Sequence, residues 1–159
     1  MKKLLFLICA LFMVGISQAQ TPPTTQTQQQ SKVWKIGDVY NVNGKKGVVF
    51  TVSPDGQHGV IISMNMHKGT WNEAKTWCAS LGGGWRMPTV HELLLIYAVK
   101  NTLNEVLYWV KGAPLYYRTW SSNSYEGDSS RAWNVRMNDG LTSFGNKDSS
   151  YYVRAVSAF

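Results

Sequence analysis

The chain has 159 residues, a formal charge of +7 and two cysteines, enough for one domain built on one hydrophobic core. Its lysines and arginines are scattered rather than gathered into a patch or stripe, so a nucleic-acid partner is not expected. Seven Trp and eight Tyr are a heavy aromatic load for a domain this size, which points to a large-ringed core, a recognition surface, or both.

The first 19 residues read as a signal peptide. Lys2 and Lys3 precede an almost unbroken apolar run from Leu4 to Ile16, and Ser17-Gln18-Ala19 has small residues where a signal peptidase cuts, before Gln20. The run is too short for a membrane anchor, and no later segment is long and apolar enough to cross a bilayer. Cys9 follows Ile8 inside the run, which is not the setting of a lipoprotein cysteine. Loss of Lys2 and Lys3 with the leader lowers the formal charge to +5 and leaves Cys78 alone. An intramolecular disulfide is then impossible, and Cys78 is either a buried small hydrophobe or the link of a dimer. Residues 20–32, with Pro22-Pro23 and Gln28-Gln29-Gln30, lack large apolar groups and read as a flexible spacer. The folded domain is expected over 33–159.

Val39–Val42 and Val48–Val52 flank Asn43-Gly44, a hairpin signal because both turn residues tolerate positive φ. Pro54-Asp55-Gly56 makes a second turn before a strand at Gly59–Met64. Three Thr-x-x-Glu capping boxes follow, at Thr70, Thr89 and Thr102. The first helix carries Trp71, Ala74, Trp77, Cys78 and Leu81 on one face and stops at Gly82. Pro88 fixes entry to the second, rich in Leu93, Leu94, Ile96 and Tyr97, and the third covers Leu103–Val110. Strand signals return near Trp120, with Arg131–Met137, a turn at Asn138-Asp139-Gly140, Leu141–Phe144 and a last strand over Tyr151–Val156. Strands, then helices, then strands without βαβ alternation predict an α+β fold with antiparallel sheet.

Several of these pieces occur in a telling order: Trp71-x-x-Ala74-x-x-x-Cys78, Gly84-Trp85-Arg86-Met87-Pro88-Thr89-x-x-Glu92-Leu93, Trp120-Ser121-Ser122, Ala132-Trp133 and Tyr152-Val153-Arg154-Ala155-Val156. From Trp71 to Phe159 the sequence resembles the Lcl C-terminal domain family, a bacterial branch of the C-type-lectin-like fold related to formylglycine-generating enzymes. The resemblance implies that fold and a secreted or surface-attached adhesion module, some members of which bind glycans. It is also similar to the variable proteins of diversity-generating retroelements, which end in a like Tyr-Val-Arg-x-Val strand. Many relatives have a second cysteine where this chain has Ala155, so the partner that Cys78 would have is missing. Within the signature, Trp85 reads as a plug for the core and Arg86 as a clamp on loop carbonyls or a carboxylate. Trp120 and Trp133 are expected to pack, while the serine hydroxyls tie down the adjacent loop.

No catalytic constellation is evident, and no cofactor or metal is expected. Enzymatic relatives in the wider fold use paired cysteines or histidine clusters, whereas this domain has one cysteine, and His58, His67 and His91 lack ligand-like spacing. The calcium loops of C-type lectins are not matched, since Trp133-Asn134 is followed by Val135; only Glu126 and Asp128 are close enough in sequence to share a cation. Recognition is placed instead in the segment Tyr116–Tyr152, whose Tyr, Ser, Asn, Gly and Arg resemble a paratope's composition. The chosen ligand-binding residues are Tyr125, Arg131, Asn134, Arg136, Phe144, Asn146 and Lys147. On the Arg131–Met137 strand, Trp133, Val135 and Met137 are expected to pack while Asn134 and Arg136 face outward. The expected ligand is a glycan or a protein; the alternative is a structural envelope or appendage component that self-associates.

Overall fold

A computed structural model describes residues 32–159; the leader and all but the last residue of the spacer lie outside the described residues. The fold is α+β, with two sheets and three helices. Strands β1 (Val39–Val42), β2 (Lys45–Val52) and β3 (Gly59–Ser63) form a meander, and β4 (His67–Gly69) leads into helix α1 (Trp71–Ser80). Helices α2 (Val90–Ala98) and α3 (Lys100–Trp109) follow. Strands β5 (Arg118–Ser124), β6 (Arg131–Arg136), β7 (Thr142–Asn146), β8 (Tyr151–Val153) and β9 (Val156–Ala158) complete the chain. One sheet has the order β1-β2-β3-β9, the other β4-β8-β5-β6-β7.

Local chemistry explains the elements that were legible. Asn43 and Gly44 have φ of 51° and 78°, the left-handed pair that matches a tight turn to the strand twist. Thr70 and Thr89 each accept a hydrogen bond from the backbone N–H three residues on, and Glu73 and Glu92 reach back, so both are complete capping boxes. Gly82, at φ 65°, ends the first helix.

Three expectations are corrected. Thr102 is not a cap: α3 starts at Lys100 with Val99 as its N-cap and no side-chain cap bond, because α2 runs almost directly into α3 and leaves Thr102 inside a helical turn. The sheets are not wholly antiparallel, since β5 and β8 pair in parallel at Thr119 and Tyr152. The final strand is two strands in different sheets, broken at Arg154-Ala155.

That break is held by a buried cation. Arg154 is 2% exposed and donates to the carbonyls of Ser63 (2.6 Å), Met64 (3.3 Å) and Ala113. No carboxylate among the described residues pairs with it, and burial lowers its pKa to about 10, so it stays charged at neutral pH. Beside it the Ala155 N–H donates to the Ser63 hydroxyl, and the Ser63 N–H donates to the Ala155 carbonyl. The junctions β3–β4 and β8–β9 are thus bonded where both chains pass between sheets.

Two apolar clusters flank this junction. The larger packs Val48, Phe50 and Ile62 against Leu93, Ile96, Leu103 and Leu107, with Val135 and Met137 from the second sheet. The smaller sets Ala74 and Cys78 of α1 against Trp120, Ala132, Val153 and Ala155. Trp120 is fully buried, and its indole N–H donates to the Gly69 carbonyl at 3.2 Å. Cys78 is also fully buried, and desolvation pushes its thiol up to about 12; the dimer-link possibility therefore falls away, and the thiol lies in the same cluster as Ala155. Among the described residues no helix is long and apolar enough to cross a membrane.

Two outcomes follow. Arg154→Met removes the guanidinium donor from three carbonyls, of which only that of Met64 keeps a second one among the described residues, the Ala113 N–H, and should cost about 3–5 kcal/mol in denaturant unfolding. Cys78 should resist alkylation at neutral pH in the native domain and react only on unfolding, since the thiolate is the nucleophile.

Candidate functional site

The antiparallel register of β6 and β7 pairs Trp133 with Phe144 and Arg131 with Asn146, and cross-strand partners project from the same face. On that face Tyr125 stacks on Phe144, with ring centroids 4.1 Å apart and planes at 15°. Trp133 meets both rings edge-on, at 5.4 and 5.7 Å. The Arg131 guanidinium lies 5.4 Å from the Phe144 ring and pairs with Asp128 at 3.1 Å. Phe144 is 38% exposed, so the cluster is open to solvent. A cleft of about 390 Å³ borders it, lined by Val90, Leu94, Asn123, Glu126, Trp133 and Thr142. Trp133, expected to pack, is half-buried and joins this face, and its N–H donates to Glu126 at 3.2 Å.

The other chosen residues lie elsewhere. Asn134 is the clearest correction: it is fully buried, its Oδ1 accepting from Arg118 and Ser143 at 3.1 Å each. Its Nδ2 has no partner among the described residues. The outward polar face expected for β6 does not exist at this point, because both sides of the strand are covered: Ala132 packs in the smaller cluster and Val135 in the larger. Arg136 closes onto Asp139 through Nε at 3.0 Å and Nη2 at 2.6 Å. This bond, with the Leu141 N–H, holds the Asp139 carboxyl below its usual range and fixes the β6–β7 turn. Lys147 donates to the Ser124 hydroxyl and Ser129 carbonyl, and its ammonium sits 4.5 Å from the Trp71 ring. Asp128 is held below its usual range first by the Ser130 hydroxyl and N–H, then by Arg131 and Lys147. Glu126 and Asp128 therefore serve different partners.

A second region was not foreseen. Trp85 meets its expected role in part: it packs against the smaller cluster without being enclosed by it. It is half-buried and stands between two clefts. One, of about 480 Å³, is lined by Trp71, Lys75, Ala79, Trp85, Arg86, Met87, Thr89 and Ser122. The other, of about 650 Å³, is lined by Gly44, Lys46, Ser63, Met64, Asn65, Met66, Trp77, Leu81 and Trp85. The helical face expected to bury Trp71, Trp77 and Leu81 buries only its small members, Ala74 and Cys78. Leu81 is 42% exposed, and the indoles flank the stripe. The signal was present in the pattern: the smallest residues lie at its centre, where the helix can approach the sheet, and the largest at its margins.

The loop carrying Trp85 is rigid for stated reasons. Arg86 exchanges backbone hydrogen bonds with Val156 at 3.0 and 2.9 Å. Its guanidinium grips Glu92 with two bonds, 2.8 and 2.6 Å, and donates to the Met87 carbonyl at 3.2 Å, so it holds both a carboxylate and a carbonyl. Burial pushes the Glu92 carboxyl up, but Arg86, the Thr89 N–H and the Thr89 hydroxyl outweigh it and leave the pKa lowered. A depressed folded value stabilises above the ordinary carboxylate range and is lost as pH falls through it. Glu92→Gln should therefore cost about 1 kcal/mol at neutral pH, allowing for solvent screening. Chemical denaturation at several pH values should show that gap closing below about pH 4.

The model of the family described as the Lcl C-terminal domain matches residues 24–157. A comparison with curated proteins finds no match. The family match spans both clusters, the Trp85 loop and the β5–β7 face, and the chain belongs to the Lcl C-terminal domain family.

Proposed function

We propose that this chain is an exported, non-catalytic binding and adhesion module that recognises a glycan or protein ligand outside the cytoplasm, whether periplasmic, at the cell surface or secreted. Family membership supports a domain of cell-surface type, and the leader-like first 19 residues support export. Two sheets flanked by short helices are what a C-type-lectin-like organisation calls for. The observation that carries recognition is the open Tyr125–Trp133–Phe144 cluster with Arg131 beside it. Rigid rings edged by a cation supply contact area at low entropic cost. A non-catalytic role is favoured by the remaining chemistry: Cys78 is buried with a raised pKa, and His67 is stacked on Trp77 at 5.6 Å.

A second reading has its own support. Tyr108 and Trp109 are 71% and 79% exposed at the end of α3, an unusual display for an unpartnered surface. It would fit a structural component that associates with copies of itself, and size-exclusion chromatography of the exported protein separates the two readings.

Glycan arrays and pulldown with surface proteins would identify the ligand class. Arg131→Ala should change stability by no more than about 0.5 kcal/mol and Phe144→Ala by about 1 kcal/mol. At least one of them should weaken binding by about 1 kcal/mol or more, as measured by calorimetry. Normal binding by both stable variants would move recognition off this face.

A further inference from the structure

The groove divided by Trp85 shares no lining residue with the cleft beside the Tyr125–Trp133–Phe144 cluster, so each can be tested by its own variants. Its two halves, about 480 and 650 Å³, are each roomy enough for an apolar side chain with its neighbours. Their walls combine indoles with thioethers: Trp71, Trp85 and Met87 on one side, Trp77, Met64 and Met66 on the other. Trp71 is fixed by its N–H bond to the Ser121 carbonyl at 2.8 Å, and Trp77 by stacking on His67. Thioether walls adapt to differently shaped apolar groups.

The charges have one sign. Lys46, Lys75 and Arg86 line the two halves, and neither half is lined by an Asp or Glu. Arg86 is neutralised by Glu92, but no described carboxylate is within ion-pair reach of Lys46 or Lys75. The hydroxyls are largely committed, Thr89 to the helix cap and Ser63 to the Asn65 carbonyl. A neutral sugar ring would bring many hydroxyls into walls with few acceptors, and each one left unpaired is costly. A polyanionic sugar would find only two lining cations outside an ion pair, Lys46 and Lys75, for its many charges.

We propose that this groove binds an acidic peptide segment of a partner protein, which sets one apolar side chain in each cleft while its carboxylates meet Lys46 and Lys75. The exposed lysines steer and select; Trp85 separates the two anchor positions.

The test is to pan the immobilised full exported chain against phage-displayed random peptides, then to label an enriched peptide for fluorescence polarisation. Enriched peptides should pair apolar residues with Asp or Glu. Lys46→Glu and Lys75→Glu, both at exposed positions, should each weaken binding by about tenfold or more, and Trp85→Ala at least as much. Phe144→Ala should leave it unchanged, and raised salt should weaken it. The proposal is overturned if no peptide enriches, if enriched peptides lack acidic residues, or if both charge reversals bind normally. It is also overturned if dextran sulfate or neutral oligosaccharides occupy the groove, sensitive to Lys75→Glu, while peptides do not.

Discussion

The Arg154 guanidinium is the constraint on which the architecture turns. Two sheets share two strand pairs, β3–β4 and β8–β9, and both chains must break at the same place. A break in paired strands exposes carbonyls that the ladder would otherwise satisfy, and unpaired buried carbonyls cost free energy. Arg154 supplies several donors in a fixed fork and takes the carbonyls of Ser63, Met64 and Ala113 together. Lysine, a compact point charge, could not span them with the same geometry. The cation also ties the loop after α3 to the junction, since Ala113 belongs to that loop.

With the junction fixed, the two apolar clusters divide the work. The aliphatic cluster under α2 and α3 has more buried members, and the cluster under α1 is built from small residues around one large ring, Trp120. Small residues at Ala74, Cys78, Ala132 and Ala155 let α1 lie close to the second sheet. Cys78 and Ala155 then pack without a covalent link. The domain replaces that staple with hydrogen bonds across the same region: Arg86 with Val156, Ser63 with Ala155, Ser122 with Pro88.

The sequence made local features legible and left long-range ones hidden. Asn43-Gly44 and the first two capping boxes were readable because the atoms that satisfy one another lie within four residues. Thr102 carried the same pattern and failed, because the α2–α3 junction had already placed it inside a helix. Strand β4, His67–Gly69, has no intrinsic strand preference; it exists through its pairing with Tyr151–Val153, which is distant in sequence. The site followed the same division. Tyr125, Arg131 and Phe144 come together on one face with Trp133. Asn134 was misjudged because alternation along one strand cannot tell whether the second face is also covered. Trp85 follows its ring size only in part: it packs against the smaller cluster, while three preceding glycines and the pairing of Arg86 with Val156 keep one side of the ring at the clefts.

Depth, rather than composition, separates structural from exposed aromatics in this domain. Trp120 is fully enclosed and its one polar atom is satisfied by Gly69. Trp71 and Trp133 are half-buried, yet each has its N–H tied, to Ser121 and Glu126. A ring anchored by its N–H and packed along one edge can offer the remaining surface with little freedom left to lose. Ordering rotamer-rich side chains is a main cost of association, so such rings are prepaid contact surface. The same bonds that stiffen a domain without disulfides therefore also prepare its aromatic faces for a partner, and the stabilising and recognising roles of the tryptophans need not compete.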